Sequence, residues 1–178
     1  MTAPAPVAPI ALLDPADFEQ ALPGLAELLA ATVADGASLG FHAPFGPAEA
    51  ADWWRTQRAE LAAGDLLLWR ASGPGGCAGT VSLRLTRKPN GRHRAELVKL
   101  MVHPAARRQG LAARLLATAE AAAAERGITL LVLDTEAGSG AEGLYRAAGW
   151  TGFGTVPGYA TDPAGVPHDG SFYYKQLS

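Results

Sequence analysis

Apolar positions in the first part of the chain recur at helical spacing. Residues 10–13 predict a short strand, and Asp14 followed by Pro15 is typical of the start of a helix. Four leucines then share one helical face: Leu22, Leu25, Leu28 and Leu29. Because proline lacks the N–H that a helix interior uses, Pro23 and Gly24 predict a break or restart within this helix.

A second helix is predicted over residues 48–62. This stretch is rich in strong helix formers and ends before Gly64, a residue type that suits the C-cap of a helix. The preceding residues 35–47 are rich in glycine and proline and predict a loop. From residue 66 onward the pattern becomes strand-like, which indicates the beginning of a sheet.

Three consecutive strands are predicted over residues 66–70, 77–86 and 94–102. Segments rich in glycine, proline and asparagine separate them, so the strands are expected to be joined by hairpins. Residues 108–126 then carry apolar positions at helical spacing, and Gly127 can end that helix with a positive φ.

The last third of the chain predicts the completion of a mixed sheet. Residues 128–133 are almost continuously apolar, which is typical of a strand buried on both faces and reached by a crossover helix. Residues 141–148 predict another helix, stopped by Gly149. Residues 150–156 and 171–177 predict two final strands, with a loop in the glycine- and proline-rich segment between them. The element order is that of an α/β fold.

Composition fits one compact domain. The chain has 178 residues, of which 48% are hydrophobic, enough for a sizeable core. We expect one domain over residues 10–178, preceded by a flexible tail over residues 1–9 whose prolines favour extended structure. The formal net charge of −2 gives no general attraction to nucleic acid or to an anionic membrane, and we expect neither as a partner.

The cysteine and histidine content and the hydropathy indicate the expected compartment and whether a metal is bound. Cys77 is the only cysteine, so no intrachain disulfide can form and a reducing cytoplasm suits the composition. No apolar run approaches the length that crosses a bilayer. The four histidines lack the spacing of metal ligands, so we expect no metal. The sequence leaves open whether two chains associate as a homodimer.

The most informative stretch is the basic turn after the third central strand. An apolar strand becomes a glycine-containing basic segment and then a helix; the residues of this turn are Arg107, Arg108, Gln109, Gly110, Leu111 and Ala112. The start of a helix presents unpaired N–H groups and the positive end of its dipole, which together can bind phosphate oxygens. Gly110 and the small Ala112 allow a ligand to approach the backbone. The turn predicts a diphosphate site, with an ordinary capped surface helix as the alternative.

These residues resemble the Gcn5-related N-acetyltransferase family. The family signature Arg/Gln-x-x-Gly-x-Gly/Ala is matched by Arg107, Gly110 and Ala112, and residues 144–150 are similar to the family's aromatic helix and following turn. The resemblance implies a mixed central sheet flanked by helices, with splayed parallel central strands. It also implies acetyl-coenzyme A as cosubstrate, with the backbone of Met101 and Val102 contacting its pantetheine arm.

A narrower resemblance points to the tabtoxin-resistance acetyltransferases. Residues 95–102, 133–139 and 157–161 are similar to that subgroup. This implies transfer of an acetyl group to the primary amine of a small metabolite, an amino-acid-like toxin or an antibiotic, and hence a role in resistance. Many family members carry asparagine before the last helix, whereas this chain has Gly138 and Ser139. That coenzyme contact therefore cannot be carried over.

The resemblance also implies roles for three side chains. Glu96 matches the family's position for a base that accepts the amine proton, although it could instead pair with Arg94 or Lys99. Asp134 corresponds to a proposed catalytic acidic residue of the subgroup, or else caps a loop. Tyr145 could donate a hydrogen bond or a proton to the departing sulfur, or serve as a core contact.

Two other functions stay open on the sequence. One is acetylation of a peptide or protein amine, since enzymes with the same donor site differ widely in acceptor. The other is a non-catalytic coenzyme A sensor, because a diphosphate turn can persist where the chemistry has been lost. Glu96 and Tyr145 favour an enzyme.

Overall fold

The structure, a computed structural model, describes residues 9–73 and 76–178. The predicted flexible tail falls almost entirely outside these ranges. The helices are α1 (Phe18–Ala34), α2 (Pro47–Thr56), α3 (Arg58–Ala63), α4 (Leu111–Glu125) and α5 (Gly140–Ala147). The strands are β1 (Ile10–Leu12), β2 (Leu66–Gly73), β3 (Gly76–Leu85), β4 (Arg94–Val102), β5 (Leu130–Glu136), β6 (Thr151–Thr161) and β7 (Pro167–Gln176). Within the described ranges, no helix has the length and apolar character that crossing a bilayer requires.

All of these strands join one mixed sheet in the order β1-β2-β3-β4-β5-β7-β6. Strands β1 to β4 pair antiparallel with one another in chain order, and the pairs β2–β3 and β3–β4 are the predicted hairpins. Strands β4 and β5 are parallel and are connected by α4, which confirms the predicted crossover. Strand β7 lies antiparallel between β5 and β6.

The parallel pairing of β4 and β5 is short. It covers Arg94 with Leu130, Ala95 with Leu131, and Glu96 with Val132, and it ends there although both strands continue. Beyond Glu96 the two strands diverge, which confirms the splayed parallel strands expected from the family resemblance. The backbone edges of residues 97–102 and 133–136 consequently face a gap.

The core lies on both faces of the sheet. One cluster joins α4 and α5 to alternate strand residues such as Val81, Leu83 and Leu131. The other cluster joins α1 and α2 to the opposite face, where Leu66 and Leu68 lie. Because strand side chains alternate between faces, this division is the direct result of the period-two pattern in the strands. The four leucines predicted on one face of the first helix are all buried.

The predicted break in the first helix is wrong. Helix α1 continues through Pro23, whose side chain is exposed. The neighbouring Gly24 has a packing reason: a Cβ there would lie 3.3 Å from both Cβ and N of Cys77 on β3. Gly24 therefore allows α1 to pack closely against the sheet, and the burial of the apolar face offsets the hydrogen bond that Pro23 cannot donate.

Two further boundaries differ from the sequence prediction. The second helical region is divided at Gln57 into α2 and α3, and Gly64 ends α3 with φ 72° as expected. The predicted loop between the last two strands is mostly strand, because β6 and β7 leave only residues 162–166 between them. Asp162 closes this turn by accepting hydrogen bonds from Ala164 and Val166, each at 2.9 Å.

Candidate functional site

A cleft of about 860 Å³ opens where β4 and β5 separate. Its walls are residues 97–102 of β4, residues 134–136 of β5, the start of α5, and residues 35–40 after α1. The first turn of α4 lies at one end of the cleft, through Arg107 and Ala112. The strand divergence thus brings the predicted basic turn to the same cavity as Asp134 and Tyr145, two of the three predicted catalytic residues.

The basic turn ends at Gly110, and helix α4 begins at Leu111 rather than at the predicted residue 108. Gly110 is the N-cap of α4 with φ 73°, and a Cβ there would meet no atom within 4 Å. Arg108 also has a positive φ of 61°, a conformation that is strained for a residue with a side chain. The first N–H inside the helix ladder belongs to Arg114, which donates to the Gly110 carbonyl at 3.2 Å. The N–H groups ahead of it belong to the first turn, where helix geometry supplies no partner.

The side chains of the turn fall into two groups. Arg107, Arg108 and Gln109 are exposed, whereas Leu111 is buried in the core and can offer a ligand only its backbone. The Arg107 guanidinium contacts the carboxylate of Asp35, and its Nε donates to the Val102 carbonyl at 3.3 Å. The ion pair is exposed on both sides, so it stabilises the fold little and an anion could displace Asp35.

Met101 and Val102 border the cleft from β4. Met101 is buried in the cluster beneath α1, and Val102 packs against the cluster beneath α4. Both are paired with β3 on their other side, at Thr80 and Gly79. Their side chains are therefore occupied by packing, and the edge of β4 that faces the gap can offer only backbone groups.

Tyr145 projects from α5 to the cleft, with its ring buried. The ring is 6% exposed and lies beside those of Trp150 and Tyr173, with centroids at 5.8 and 6.0 Å. Burial, and secondarily the negative charge of Asp134, raise the pKa of the Tyr145 hydroxyl to about 12. Tyr145 is therefore a neutral hydrogen-bond donor at any physiological pH.

Glu142 fixes the helix that carries Tyr145. Its carboxylate accepts hydrogen bonds from the Tyr173 hydroxyl at 2.9 Å and from the Gly138 N–H at 3.1 Å. A hydrogen bond from Ser171, together with those from Tyr173 and Gly138, lowers the pKa of Glu142 to about 2. The loop before α5 is thus held by a carboxylate from within the helix.

A second cavity, of about 240 Å³, lies on the α1 and α2 side of the sheet. Glu96 borders only this cavity, whereas Asp134 borders both cavities. Burial raises the pKa of the Asp134 carboxyl, and the nearby Lys99 charge acts in the opposite direction. Glu96 has no hydrogen bond or salt bridge among the described residues, so the pairing with Arg94 or Lys99 considered from the sequence does not form.

Lys99 is a member of the site that the sequence interpretation missed. It borders both cavities and has φ 52°, in a bulge where the β3–β4 register shifts. Its Nζ donates to the Leu39 carbonyl at 2.7 Å and lies 5.2 and 5.0 Å from the ring centroids of Phe41 and Trp53. Burial, and then the charge of Arg84, lower the pKa of Lys99 to about 8. A lysine flanked by apolar residues in a strand was the available signal.

The loop between α1 and α2 closes one rim of the site. Ser38 donates to the Thr161 carbonyl at 3.2 Å, and His42 Nε2 lies 2.7 Å from the Thr161 hydroxyl oxygen. The Ala43 N–H donates to the Pro163 carbonyl at 2.8 Å. These contacts join the loop to the β6–β7 turn, so the rim is built from segments far apart in the sequence. Nowhere in residues 9–73 and 76–178 do three metal-ligating side chains come together.

Comparison with known proteins gives a family and a fold. A family model described as the Acetyltransferase (GNAT) family matches residues 31–150. Among solved structures, the ribosomal-protein-alanine N-acetyltransferase from Brucella melitensis is 24% identical with a TM-score of 0.74, over 94% of this chain and 99% of that one. An N-acetyltransferase from Staphylococcus aureus Mu50 is 18% identical with a TM-score of 0.75, over 97% and 99%.

A third similar structure was solved with a ligand. The GNAT superfamily phosphinothricin acetyltransferase from Sinorhizobium meliloti, in complex with AcCoA, is 19% identical with a TM-score of 0.76. The match covers 96% of this chain and 89% of that one. At these identities the structural likeness shows the fold, and it does not choose between small-molecule and protein acceptors.

The unusual environment of Lys99 gives a stability prediction. The unfolded chain keeps the ordinary lysine pKa of 10.5, so between pH 8 and 10.5 it binds a proton that the folded protein does not. Stability therefore rises with pH across this window, by on the order of 3 kcal/mol from this group. We expect wild-type protein to gain that amount relative to Lys99→Met between about pH 7.5 and pH 10.5 in urea unfolding.

The exposed Lys88, on the turn between β3 and β4, provides the matched control. Lys88→Met removes the same charge and should show the same stability difference from wild type at both pH values. A pH-independent difference for Lys99→Met would show that the Lys99 ammonium is not destabilised by its surroundings.

Proposed function

Because the chain belongs to the acetyltransferase (GNAT) family, we propose that it transfers an acetyl group from acetyl-coenzyme A to the primary amine of a small molecule. The observation that carries the proposal is the meeting of two cavities at the point where β4 and β5 separate. Val98, Lys99 and Asp134 border both cavities, so a ligand in the cleft and a ligand in the second cavity would meet there. Direct transfer between two bound ligands needs this arrangement.

The cleft suits the coenzyme along its whole length. We assign the diphosphate to the N–H groups of residues 110–112, aided by Arg108 and by Arg107 once it leaves Asp35. The pantetheine arm would lie along the gap beside Met101 and Val102, where β4 has no ladder partner on the β5 side. The fit rests on the open space over Gly110 and on unpaired backbone at the gap.

The residues available favour direct attack over an acetylated enzyme. Cys77 is the only cysteine in the sequence; its thiol is buried under α1, donates to the Gly79 carbonyl, and does not border the cleft. Burial also raises the pKa of the Cys77 thiol, which disfavours the nucleophilic thiolate. The acceptor nitrogen therefore attacks the thioester carbon itself, forming the C–N bond of the amide as the C–S bond breaks.

The proton of the attacking amine needs an acceptor, and Asp134 is better placed than Glu96. Asp134 borders both cavities, and its raised pKa brings the carboxyl nearer to the pH at which it works. Glu96 borders the second cavity alone, so we assign it to attracting the acceptor's ammonium group. In this scheme Asp134 takes the proton that the nitrogen loses on becoming an amide.

Tyr145 would stabilise the departing sulfur by a hydrogen bond. With a pKa of about 12, its hydroxyl is a much weaker acid than an ordinary thiol, whose pKa is about 8.5. Complete proton transfer from Tyr145 to the thiolate is therefore unfavourable, whereas hydrogen-bond donation into a buried site is favourable. Of the two roles considered from the sequence, hydrogen-bond donation agrees better with this environment.

The size of the second cavity supports a small acceptor. At about 240 Å³ it is bounded by the indole rings of Trp53 and Trp54, and the loop after α1 closes the neighbouring rim. This favours a metabolite, an amino-acid-like toxin or an antibiotic of limited size over a protein chain. A role in resistance, and the closer relation to tabtoxin-resistance enzymes, form the narrower part of the same proposal.

Binding of acetyl-coenzyme A can be tested with two glycines that bracket α4. Gly110 and Gly127 have φ 73° and 74°, and neither has an atom within 4 Å of an added Cβ. Alanine should therefore cost both sites about 1–2 kcal/mol of backbone strain. Only Gly110→Ala should also weaken acetyl-coenzyme A binding in calorimetry, by about tenfold or more, because its methyl group covers the diphosphate approach.

Equal affinities in Gly110→Ala and Gly127→Ala would remove the diphosphate assignment. The free energy of unfolding of the wild-type protein should rise by about 2.7 kcal/mol when the concentration of acetyl-coenzyme A is 100 times its dissociation constant.

Catalysis is tested by release of free thiol from acetyl-coenzyme A in the presence of a library of primary amines. With an active amine, Tyr145→Phe should lower kcat by about 100-fold and leave the KM for acetyl-coenzyme A nearly unchanged, since the lost hydrogen bond forms as the sulfur departs. Tyr174→Phe, on β7 beside Phe153, is the matched control and should retain full activity. A library that is silent throughout, despite coenzyme binding, would identify a sensor instead.

A further inference from the structure

Beside the carboxylates, the second cavity carries a group of positive and hydroxyl side chains that the proposed reaction does not use. Arg84 and Ser82 border it from β3, and Lys99 borders it from β4. Trp53 and Gln57 of the α2–α3 region form its opposite wall. Two cations, two carboxylates and a hydroxyl thus surround one small space.

Ser82 is buried without a partner. It is 1% exposed, and its Oγ is the buried side-chain oxygen or nitrogen that lacks a hydrogen bond in the described ranges. Along β3, Val81 and Leu83 belong to the core on the α4 side, so Ser82 lies on the same face as the second cavity. A buried hydroxyl is destabilising unless something accepts or donates a hydrogen bond, and a ligand in the cavity would supply that partner.

The two cations lie close enough to repel one another. The charge of Arg84 lowers the pKa of Lys99, and its effect is larger than the opposite effect of either Asp134 or Glu96 taken singly. Arg84 binds Glu60 through Nε at 3.1 Å and Gln57 through Nη2 at 3.0 Å. The remaining guanidinium nitrogen of Arg84, Nη1, takes part in neither of these two contacts.

The Lys99 ammonium is also without a matching anion in direct contact. Its hydrogen bond goes to the neutral Leu39 carbonyl, and its other neighbours are the rings of Phe41 and Trp53. A desolvated lysine beside an arginine is electrostatically unfavourable unless an anion is placed near both. Arg84 keeps its ion pair with Glu60, so the positive charge without an anion in direct contact is that of Lys99, and an acid group placed between Lys99 and the free face of Arg84 would complement it.

We propose that Arg84, Lys99 and Ser82 form a subsite for a carboxylate of the acceptor, so that the acceptor is an amino acid or a close analogue that carries both an amine and an acid group. The inference rests on the proposed function. The carboxylate would accept hydrogen bonds from the Arg84 guanidinium, the Lys99 ammonium and the Ser82 hydroxyl, while Glu96 and Asp134 face its amine. Both ends of a zwitterion are then matched within one cavity.

This arrangement also excludes competing acceptors. A polyamine or an amino sugar with several cationic groups would place positive charge near Arg84 and Lys99, where it is repelled. A peptide N-terminus has an amide where an amino acid has its carboxylate, and so leaves the Lys99 ammonium without an anionic partner. The cavity therefore discriminates by charge as well as by size.

The first test compares each of the common amino acids with its methyl ester and with the amine formed by its decarboxylation, at saturating acetyl-coenzyme A. We expect kcat/KM for the best amino acid to exceed that for its ester and its amine by about tenfold or more, the effect of one lost charged hydrogen bond. Esterification lowers the pKa of the amine and makes more of it available as a nucleophile. A preference for the free acid cannot therefore come from intrinsic reactivity.

The second test uses Lys99→Met and Ser82→Ala with the best amino acid. Both should raise its KM by about tenfold, because both side chains bind the acid group. Ser82→Ala should change kcat much less, since Ser82 borders the second cavity and not the cleft. In each variant, the ratio of kcat/KM for the amino acid to kcat/KM for its decarboxylated amine should therefore fall by about tenfold. Lys88 is exposed and lies outside the site, so Lys88→Met removes the same charge and should leave unchanged the KM for the amino acid and the KM for its decarboxylated amine.

The outcomes separate this inference from the proposed function. If esters or decarboxylated amines react as well as the free acids, the carboxylate subsite is refuted and the acetyltransferase assignment stands. If Lys99→Met and Ser82→Ala affect acids and plain amines alike, the subsite is likewise refuted. If no amine of any class releases thiol although acetyl-coenzyme A binds, the proposed function fails and the subsite with it.

Discussion

The early end of the parallel pairing between β4 and β5 creates the gap on which the rest of the site is built. Three residue pairs hold the strands together, from Arg94 with Leu130 to Glu96 with Val132, and beyond them each strand turns away from the other. Backbone N–H and C=O groups in the interior need partners, so a gap in the middle of a sheet is stable only beside water or a ligand that can pair with it. The left-handed conformation of Lys99, in a bulge of β4, lies where this divergence begins.

The other features of the site follow from that divergence. Because the gap passes through the sheet, a cavity on one face meets a cavity on the other, and the charged groups of Lys99 and Asp134 border both. Helix α4 must cross from the end of β4 to the start of β5, so its first turn lies at the same end of the gap. The start of α4, the open edge of β4, and the carboxylates of Glu96 and Asp134 therefore lie near one another, and short connections join the elements that carry them.

Local sequence signals predicted the elements whose causes are local. The hairpins of β2, β3 and β4, the glycine that follows α4, and the continuously apolar β5 all depend on a few neighbouring residues, and all were predicted to within a few positions. Pro23 misled because the effect of one missing hydrogen bond was smaller than that of packing α1 against β3. The strand character of residues 157–161 was missed because glycine and proline also occur in an edge strand such as β6.

The parts of the site that could not be predicted depend on contacts distant in sequence. Lys99 meets the Leu39 carbonyl 60 positions away, and His42 meets Thr161 across 119 positions. No periodicity or turn signal encodes such pairs, which follow only from the assembled sheet. The same holds for the ion pair between Asp35 and Arg107, since these residues lie 72 positions apart.

A crystal structure with bound coenzyme A tests the central claim most directly. The account predicts diphosphate oxygens within hydrogen-bond distance of the N–H groups of residues 110–112, and a pantetheine arm paired with the free edge of β4 at Met101 and Val102. Coenzyme bound elsewhere, or β4 and β5 closed together by further ladder pairs beyond Glu96, would contradict it.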